Sequence, residues 1–322
     1  MAVTANTNET YDVSTIKEDL AAAMASISPT ETIFMSTIGT RNVDNTYFEW
    51  SEVDLAAASA SNRAIEGDAS PANTAPTNAV RKGNYTQIST KVVEVSDTAN
   101  EVSGVADAQT VAKQVAYKLS EMKRDMEKMV LGSNVAASAG ASGTARQTAS
   151  LSAFLTSNVS RASGGANGTT SGTGEAGYPN AAATDASSTR AITEPLLKTV
   201  IAACWESGAQ PTVVLCGSSQ KQTISTFTGN ATRYKEAEDS KLNAAIDVYI
   251  SDFGELQIAP ARHIRPRDVF VLAPEYAKIA YLQTAKQKPL ARTGLSERRL
   301  ISAEYGLEVT SQKAHGVIAD VS

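Results

Sequence analysis

Acid–base and metal chemistry needs histidines, cysteines or closely placed carboxylates, and this chain offers few of them in useful patterns. Its 322 residues contain two histidines. His263 stands in Arg262-His263-Ile264-Arg265-Pro266-Arg267, where the arginines disfavour its protonated form. His315 stands in Ala314-His315-Gly316, near the end of an expected strand. Two histidines cannot form a His-based metal triad, and a Ser-His-Asp relay would need one of them, yet no G-x-S-x-G elbow precedes a helix. His263 therefore reads as a surface or interface residue and His315 as a packing or hydrogen-bonding one.

The remaining candidates dissolve on the same grounds. Cys204 and Cys216 lack the repeated close spacing of zinc sites and read as small buried hydrophobes. Gly172-Thr173-Gly174-Glu175-Ala176-Gly177 has the spacing of a dinucleotide fingerprint, but that motif works only between a strand and a helix amino terminus. Here it lies in a glycine-, serine- and alanine-rich tract that looks disordered, and it reads as a chance match. Glu66/Asp68 and Glu236/Glu238/Asp239 sit in polar, loop-like segments and read as solvated charge. No catalytic residue, cofactor site or metal site is assigned, and the chain reads as a non-enzyme.

One charged group is less bland. Lys286, Lys288, Arg292, Glu297, Arg298, Arg299 and Glu304 surround Pro289-Leu290-Ala291-Arg292-Thr293-Gly294 in what reads as a charged loop. Mixed signs argue against phosphate binding and suit a salt-bridged contact between subunits. Overall composition points the same way. With a net charge of -5, the chain lacks the basic stripe that grips nucleic acid through counterion release. No apolar run approaches the roughly 20 residues of a membrane span, and the amino terminus lacks a secretory pattern, so a cytoplasmic site of synthesis is expected.

The elements around these residues mix helices and strands. An amphipathic helix is expected over 15–27, with Ile16, Leu20 and Met24 on one stripe, followed after Pro29 by Ile33, Phe34 and Met35. Thr46 to Val53 alternates as a strand, Phe48 and Trp50 on one face and Tyr47 and Glu49 on the other; a second strand runs from Tyr85 to Val95. Between them, 54–83 is poor in core-forming side chains, so the two strands read as a long hairpin with a loosely packed tip. The longest helix is expected over 106–131, with Val115, Leu119, Met122, Met126 and Met129 on its core face and Lys113, Lys118, Lys123, Arg124 and Glu127 on the other. Residues 133 to about 190 read mostly as loop around a short helix near Leu151, Phe154 and Leu155. Thr193 is expected to cap a helix running to Gly208, with strands at 212–216, 244–251, 256–260, 268–273, 276–284 and 300–313.

In this order the elements resemble tailed-phage major capsid proteins of the Hong Kong 97 type, an α+β fold. The resemblance rests on Ile27 to Met35, Phe48-Glu49-Trp50, Gly83 to Ile88, Leu119 to Met126 and Ala203-Cys204-Trp205. It continues through Phe227-Thr228-Gly229 to Arg233-Tyr234, Val248 to Gly254, Leu290 to Gly294, Ser296-Glu297-Arg298-Arg299 and Ala314 to Ile318. It implies an N-arm over 1–40, an extended E-loop hairpin over 41–98, and a peripheral domain over 99–189 whose spine helix is 106–131. An axial domain over 190–275 and a return to the peripheral domain over 276–322 complete it.

The resemblance also implies a function: self-assembly into hexamers and pentamers of an icosahedral virion shell that encloses double-stranded DNA without binding it strongly. Portal, a separate scaffolding protein and a decoration protein are the expected partners; an encapsulin-like compartment is the alternative. Functional residues would then be interface residues: Ile16, Leu20, Met24 and Phe34 in the arm, Phe48, Trp50, Tyr85 and Ile88 in the hairpin, and Arg292, Glu297, Arg298, Arg299 and Glu304 in the charged segment. On this reading the Phe48–Trp50 face lies across a neighbouring subunit.

Overall fold

Apolar stripes at helical and strand spacing set the architecture. The computed structural model describes residues 31–63, 66–67, 76–102, 110–173, 175–227, 248–292 and 294–322. The expected 15–27 helix, with Ile16, Leu20 and Met24, lies outside these residues, as does Thr293.

The chain enters through a short helix, α1 (Ile33–Thr37), and a strand, β1 (Gly39–Asn42). The hairpin strands are β2 (Tyr47–Glu52) and β3 (Val80–Tyr85), paired antiparallel from Tyr47–Tyr85 to Glu52–Val80. This corrects the expected pairing, in which 85–95 supplied the second strand. The Thr86 N–H donates to the Thr46 carbonyl and closes the hairpin's end. The chain then continues as β4 (Gln87–Ser96), which pairs over ten positions with a different strand, β13 (Ser296–Val309).

After α2 (Asp97–Glu101), capped by the Ser96 side chain, comes the spine helix α3 (Val111–Val130), whose expected first turns fall on undescribed residues. Val115, Met122, Met126 and Val130 are buried on one stripe, as their spacing requires, and the helix packs across β4 and β13. Glu127, expected on the solvent face, is instead 1% exposed.

Residues 133–190 are largely irregular, with α4 (Leu151–Phe154) and the short strands β5 (Val159–Ser160), β6 (Thr169–Thr170) and β7 (Pro179–Ala181). The tract is nonetheless packed. Ala149, Ser150, Leu151, Ser152 and Ala153 are all buried, because small side chains let irregular backbone lie against the core while its polar groups bond locally.

The second half begins with α5 (Glu194–Glu206), whose buried face is Leu197, Val200, Ile201 and Cys204. Thr193 occupies the capping position but makes no side-chain cap bond. Then follow β8 (Val213–Cys216), α6 (Ser218–Ser225), β9 (Val248–Ser251), β10 (Gly254–Pro260) and β11 (Asp268–Leu272). The chain closes with β12 (Ala277–Pro289), β13 and β14 (Gly316–Ala319).

Two main sheets result. One has the order β1-β12-β13-β4; the other, β5-β14-β11-β8-β10-β9, takes β5 and β14, both from outside 190–275, at one end. β8 and β11 are buried on both faces, which is why β8 and residues 269–272 of β11 read as unbroken apolar runs. The charged segment expected as a loop is in fact mostly the arms of the β12–β13 hairpin, with Arg292 in the stretch that joins them.

Candidate subunit-contact surfaces

Among the described residues no group of three or more His, Cys, Asp or Glu side chains is placed to hold a metal, and no helix is long and apolar enough to cross a membrane. Gly174 lies outside the described residues; the rest of the glycine motif falls between β6 and β7 rather than at a helix amino terminus. Cys204 and Cys216 are buried, and burial pushes both thiols up to about 11. His315 is 1% exposed, its Nδ1 accepts from the Ala273 N–H at 3.3 Å, and burial pushes its pKa down to about 4. His263 is half-buried; burial is the first cause that lowers its pKa, followed by the charges of Arg124, Lys128 and Arg262.

The sequence-derived contact residues that are described divide into two groups. Phe34, Phe48 and Trp50 are covered by their own chain. Phe34 sits in the main core at the root of the arm. The Phe48 ring lies on β13 at Gly306, where an added Cβ would stand 2.6 Å from the ring, so only glycine permits this contact. Trp50 faces Phe154 at 6.2 Å and Phe48 at 5.9 Å between ring centroids. The expectation that the Phe48–Trp50 face lies across a neighbour is therefore corrected: α4 and β13 of the same subunit fill that role. Strand alternation gave the right face, but alternation cannot say which chain supplies the cover.

The second group remains at the surface. Ile88 is 55% exposed on the edge strand β4, and Val92, which the sequence reading missed, is 48% exposed on the same face four residues on. Tyr85 is half-buried between Tyr47 and Tyr178. In the charged hairpin, most counter-ions come from the same chain. Arg298 pairs with Glu94 of β4 at 3.3 Å, Arg292 with Asp97 at 3.6 Å, and Arg299 donates through Nε to Glu297 at 2.7 Å. Glu304 accepts from Thr86 Oγ1 at 2.7 Å and pairs with Arg146. Such part-exposed pairs contribute about 0–1 kcal/mol each and mainly set strand register. Leu295 at the hairpin tip and Leu55 beyond β2, each 84% exposed, are further apolar surface that pattern reading did not single out.

One buried charge cluster lies at the ends of β11 and β14. Asp268 and Asp320 are fully buried; Arg265 bonds Asp268 at 2.8 Å and also pairs with Asp185, and Arg267 bonds Asp320 at 2.7 Å. Burial pushes the Asp268 carboxyl up to about 6 against the opposing pull of Arg265. These residues tie the ends of β11 and β14 to the loop before α5, which is structural work. Among the described residues nothing resembles a reacting centre; their exposed features are an apolar strand edge, hairpin tips and a rim of paired charges.

Comparison with known proteins accords with that geometry. A family model described as SU10 major capsid protein matches residues 3–322. The major capsid protein of Escherichia phage Phieco32 is 37% identical over 122 residues, a stretch covering 38% of this chain and 34% of that relative. The match thus spans about a third of the length of that curated relative. Among solved structures, the capsid of a native GTA particle has a TM-score of 0.62 at 13% identity, covering 97% of this chain and 98% of that one. The holo-SrpI encapsulin complex from Synechococcus elongatus has a TM-score of 0.55 at 11% identity, covering 95% and 93%. At such identities the likeness establishes the fold alone.

Proposed function

The chain belongs to the SU10 major capsid protein family, whose members are structural proteins rather than enzymes, and from that premise we propose how it builds a shell. Its fold is of the Hong Kong 97 type. The observation that carries the reading is the family match over nearly the entire chain, residues 3–322. The surface agrees with it: apolar side chains are exposed where a monomer gains nothing from them, on the free edge strand β4 and at two tips. Long edge strands and exposed apolar residues of this kind invite pairing with another chain.

On this proposal, copies of the chain close into hexamers and pentamers of an icosahedral virion shell around double-stranded DNA. Ile88 and Val92 on β4, with Arg292, Glu297, Arg298 and Arg299 beside them, meet a neighbour; Ile16, Leu20 and Met24 of the arm do the same. The segments 1–40, 41–98, 99–189, 190–275 and 276–322 serve as N-arm, E-loop, peripheral domain, axial domain and peripheral return. Assembly takes place in the host cytoplasm with a portal and a separate scaffolding protein, and a decoration protein binds outside.

The acidic balance, -5 overall, suits a container whose wall does not trap phosphates, so packaged DNA stays mobile. Particle contents test the reading against the encapsulin-like alternative. Nuclease-protected DNA of one length inside purified particles is the expected result; a protein cargo with no protected DNA would transfer the chain to the other class.

A further inference from the structure

The β2–β3 hairpin has a third partner. Residues 175–178 run alongside β3, bridged in parallel at Lys82–Gly177. The Gly83 N–H donates to the Gly177 carbonyl and the Gly177 N–H to the Arg81 carbonyl, both at 2.9 Å. On one face, the Tyr178 ring meets Tyr85 at 5.1 Å and Tyr47 at 6.2 Å, both edge-on. On the other, Lys82 Nζ lies 2.8 Å from Glu175 Oε2 and also pairs with Glu52, its side chain only 8% exposed. Lys313 extends the group, pairing with Asp54 and standing 4.0 Å from Glu175. Side chains three apart on an extended strand point to opposite faces, so Glu175 and Tyr178 grip the hairpin from both sides.

We propose that segment 175–178 is a clasp that sets the direction in which the hairpin leaves the subunit, with Lys82 as the residue that positions it. The inference deepens the capsid reading, since on that reading the hairpin's reach is what must be aimed. The ionic part supplies specificity rather than bulk stability. Its charges come from the hairpin, from Glu175 and from Lys313, and they satisfy one another at one hairpin angle only. A buried lysine that loses its carboxylates, or carboxylates that lose it, is strongly penalised, so other angles are disfavoured. The turn itself is conformationally committed: Gly177 has φ +81, and an added Cβ would stand 2.2 Å from Ser171 Oγ.

Hydrogen exchange on the unassembled full chain tests this without relying on shell formation. In Lys82→Met, amides of 47–52 and 80–85 are expected to exchange at least about tenfold faster, while β8, β11 and β14 keep wild-type protection. Lys82→Arg, which retains the charge, is expected to restore most of the hairpin's protection. Unchanged hairpin exchange in the Met variant, or loss in the Arg variant as large as in Met, would overturn the proposal. Should Lys82→Met unfold, Glu175→Gln leaves the Lys82–Glu52 pair in place, and unaltered hairpin exchange in that folded variant would overturn it equally. A chain that never forms shells yet shows this pattern would sink the capsid reading and leave the clasp standing.

Discussion

The carboxylate of Glu127, on the spine helix, accepts the backbone N–H groups of Phe34 and Met35 at 2.8 and 2.9 Å. It thereby satisfies free donors at the start of α1, 92 and 93 residues earlier in the chain. Burial raises the Glu127 carboxyl above its ordinary range, opposed by those two bonds. The start of α1 is thus pinned by one side chain. Glu127→Ala should leave α3 intact and free the arm: amides of residues 34 and 35 lose protection, and stability falls by about 1–3 kcal/mol in urea titrations. Unchanged protection at those amides would show that Phe34 burial alone holds the arm.

Trp50→Ala should destabilise the subunit itself. Its indole is covered by Phe48 and Phe154 of the same chain, so truncation leaves a cavity worth about 3–5 kcal/mol. Thermal melts of unassembled chain are the check. A variant that melts like wild type yet fails to assemble would return Trp50 to the interface.

Ile88→Glu and Val92→Glu should do the reverse. Both residues are about half exposed, so subunit melting should stay within about 0.5 kcal/mol of wild type while assembly yield drops severalfold. Sedimentation of the two variants beside wild type measures both effects, and full assembly of the double variant would remove this strand from the contact surface.

Two buried groups give opposite pH slopes. His315 is held near 4, below its ordinary 6.5, so the unfolded chain binds the proton more readily. Its contribution to stability is complete above pH 6.5 and is lost as pH falls towards 4. Asp268 is held near 6, above its ordinary 3.8, so the folded chain binds that proton more tightly and stability falls as pH rises from 3.8 to 6. Between pH 4 and 6 the two slopes therefore oppose each other. His315→Gln should expose the Asp268 slope, stability falling with rising pH, and Asp268→Asn should expose the His315 slope, stability rising with pH. Urea midpoints at several pH values decide it; parallel profiles in all three proteins would contradict these assignments.

What the sequence showed depended on range. Periodicity located the spine stripe of Met122 and Met126, and the buried cysteines followed from the absence of metal or disulfide spacing. Glu127 was missed because a charged residue beside the stripe looks solvated; its partners are backbone donors brought near by the fold. Strand patterns found the β2 and β4 regions but not their partners, since pairing Val93 with Arg299 rather than with the hairpin depends on contacts some 200 residues apart. The tract around Ala149 read as loose because composition reports a lack of large side chains, not whether small ones are buried. The ion pair of Lys82 was missed for the same reason, since Glu175 lies 93 residues away in the chain.

Whether this chain closes into a shell is decided by electron microscopy of the purified protein under assembly conditions. Closed icosahedral particles with pentameric vertices and hexameric faces are the expected images. A uniform population of small oligomers at every protein and salt concentration would contradict the account.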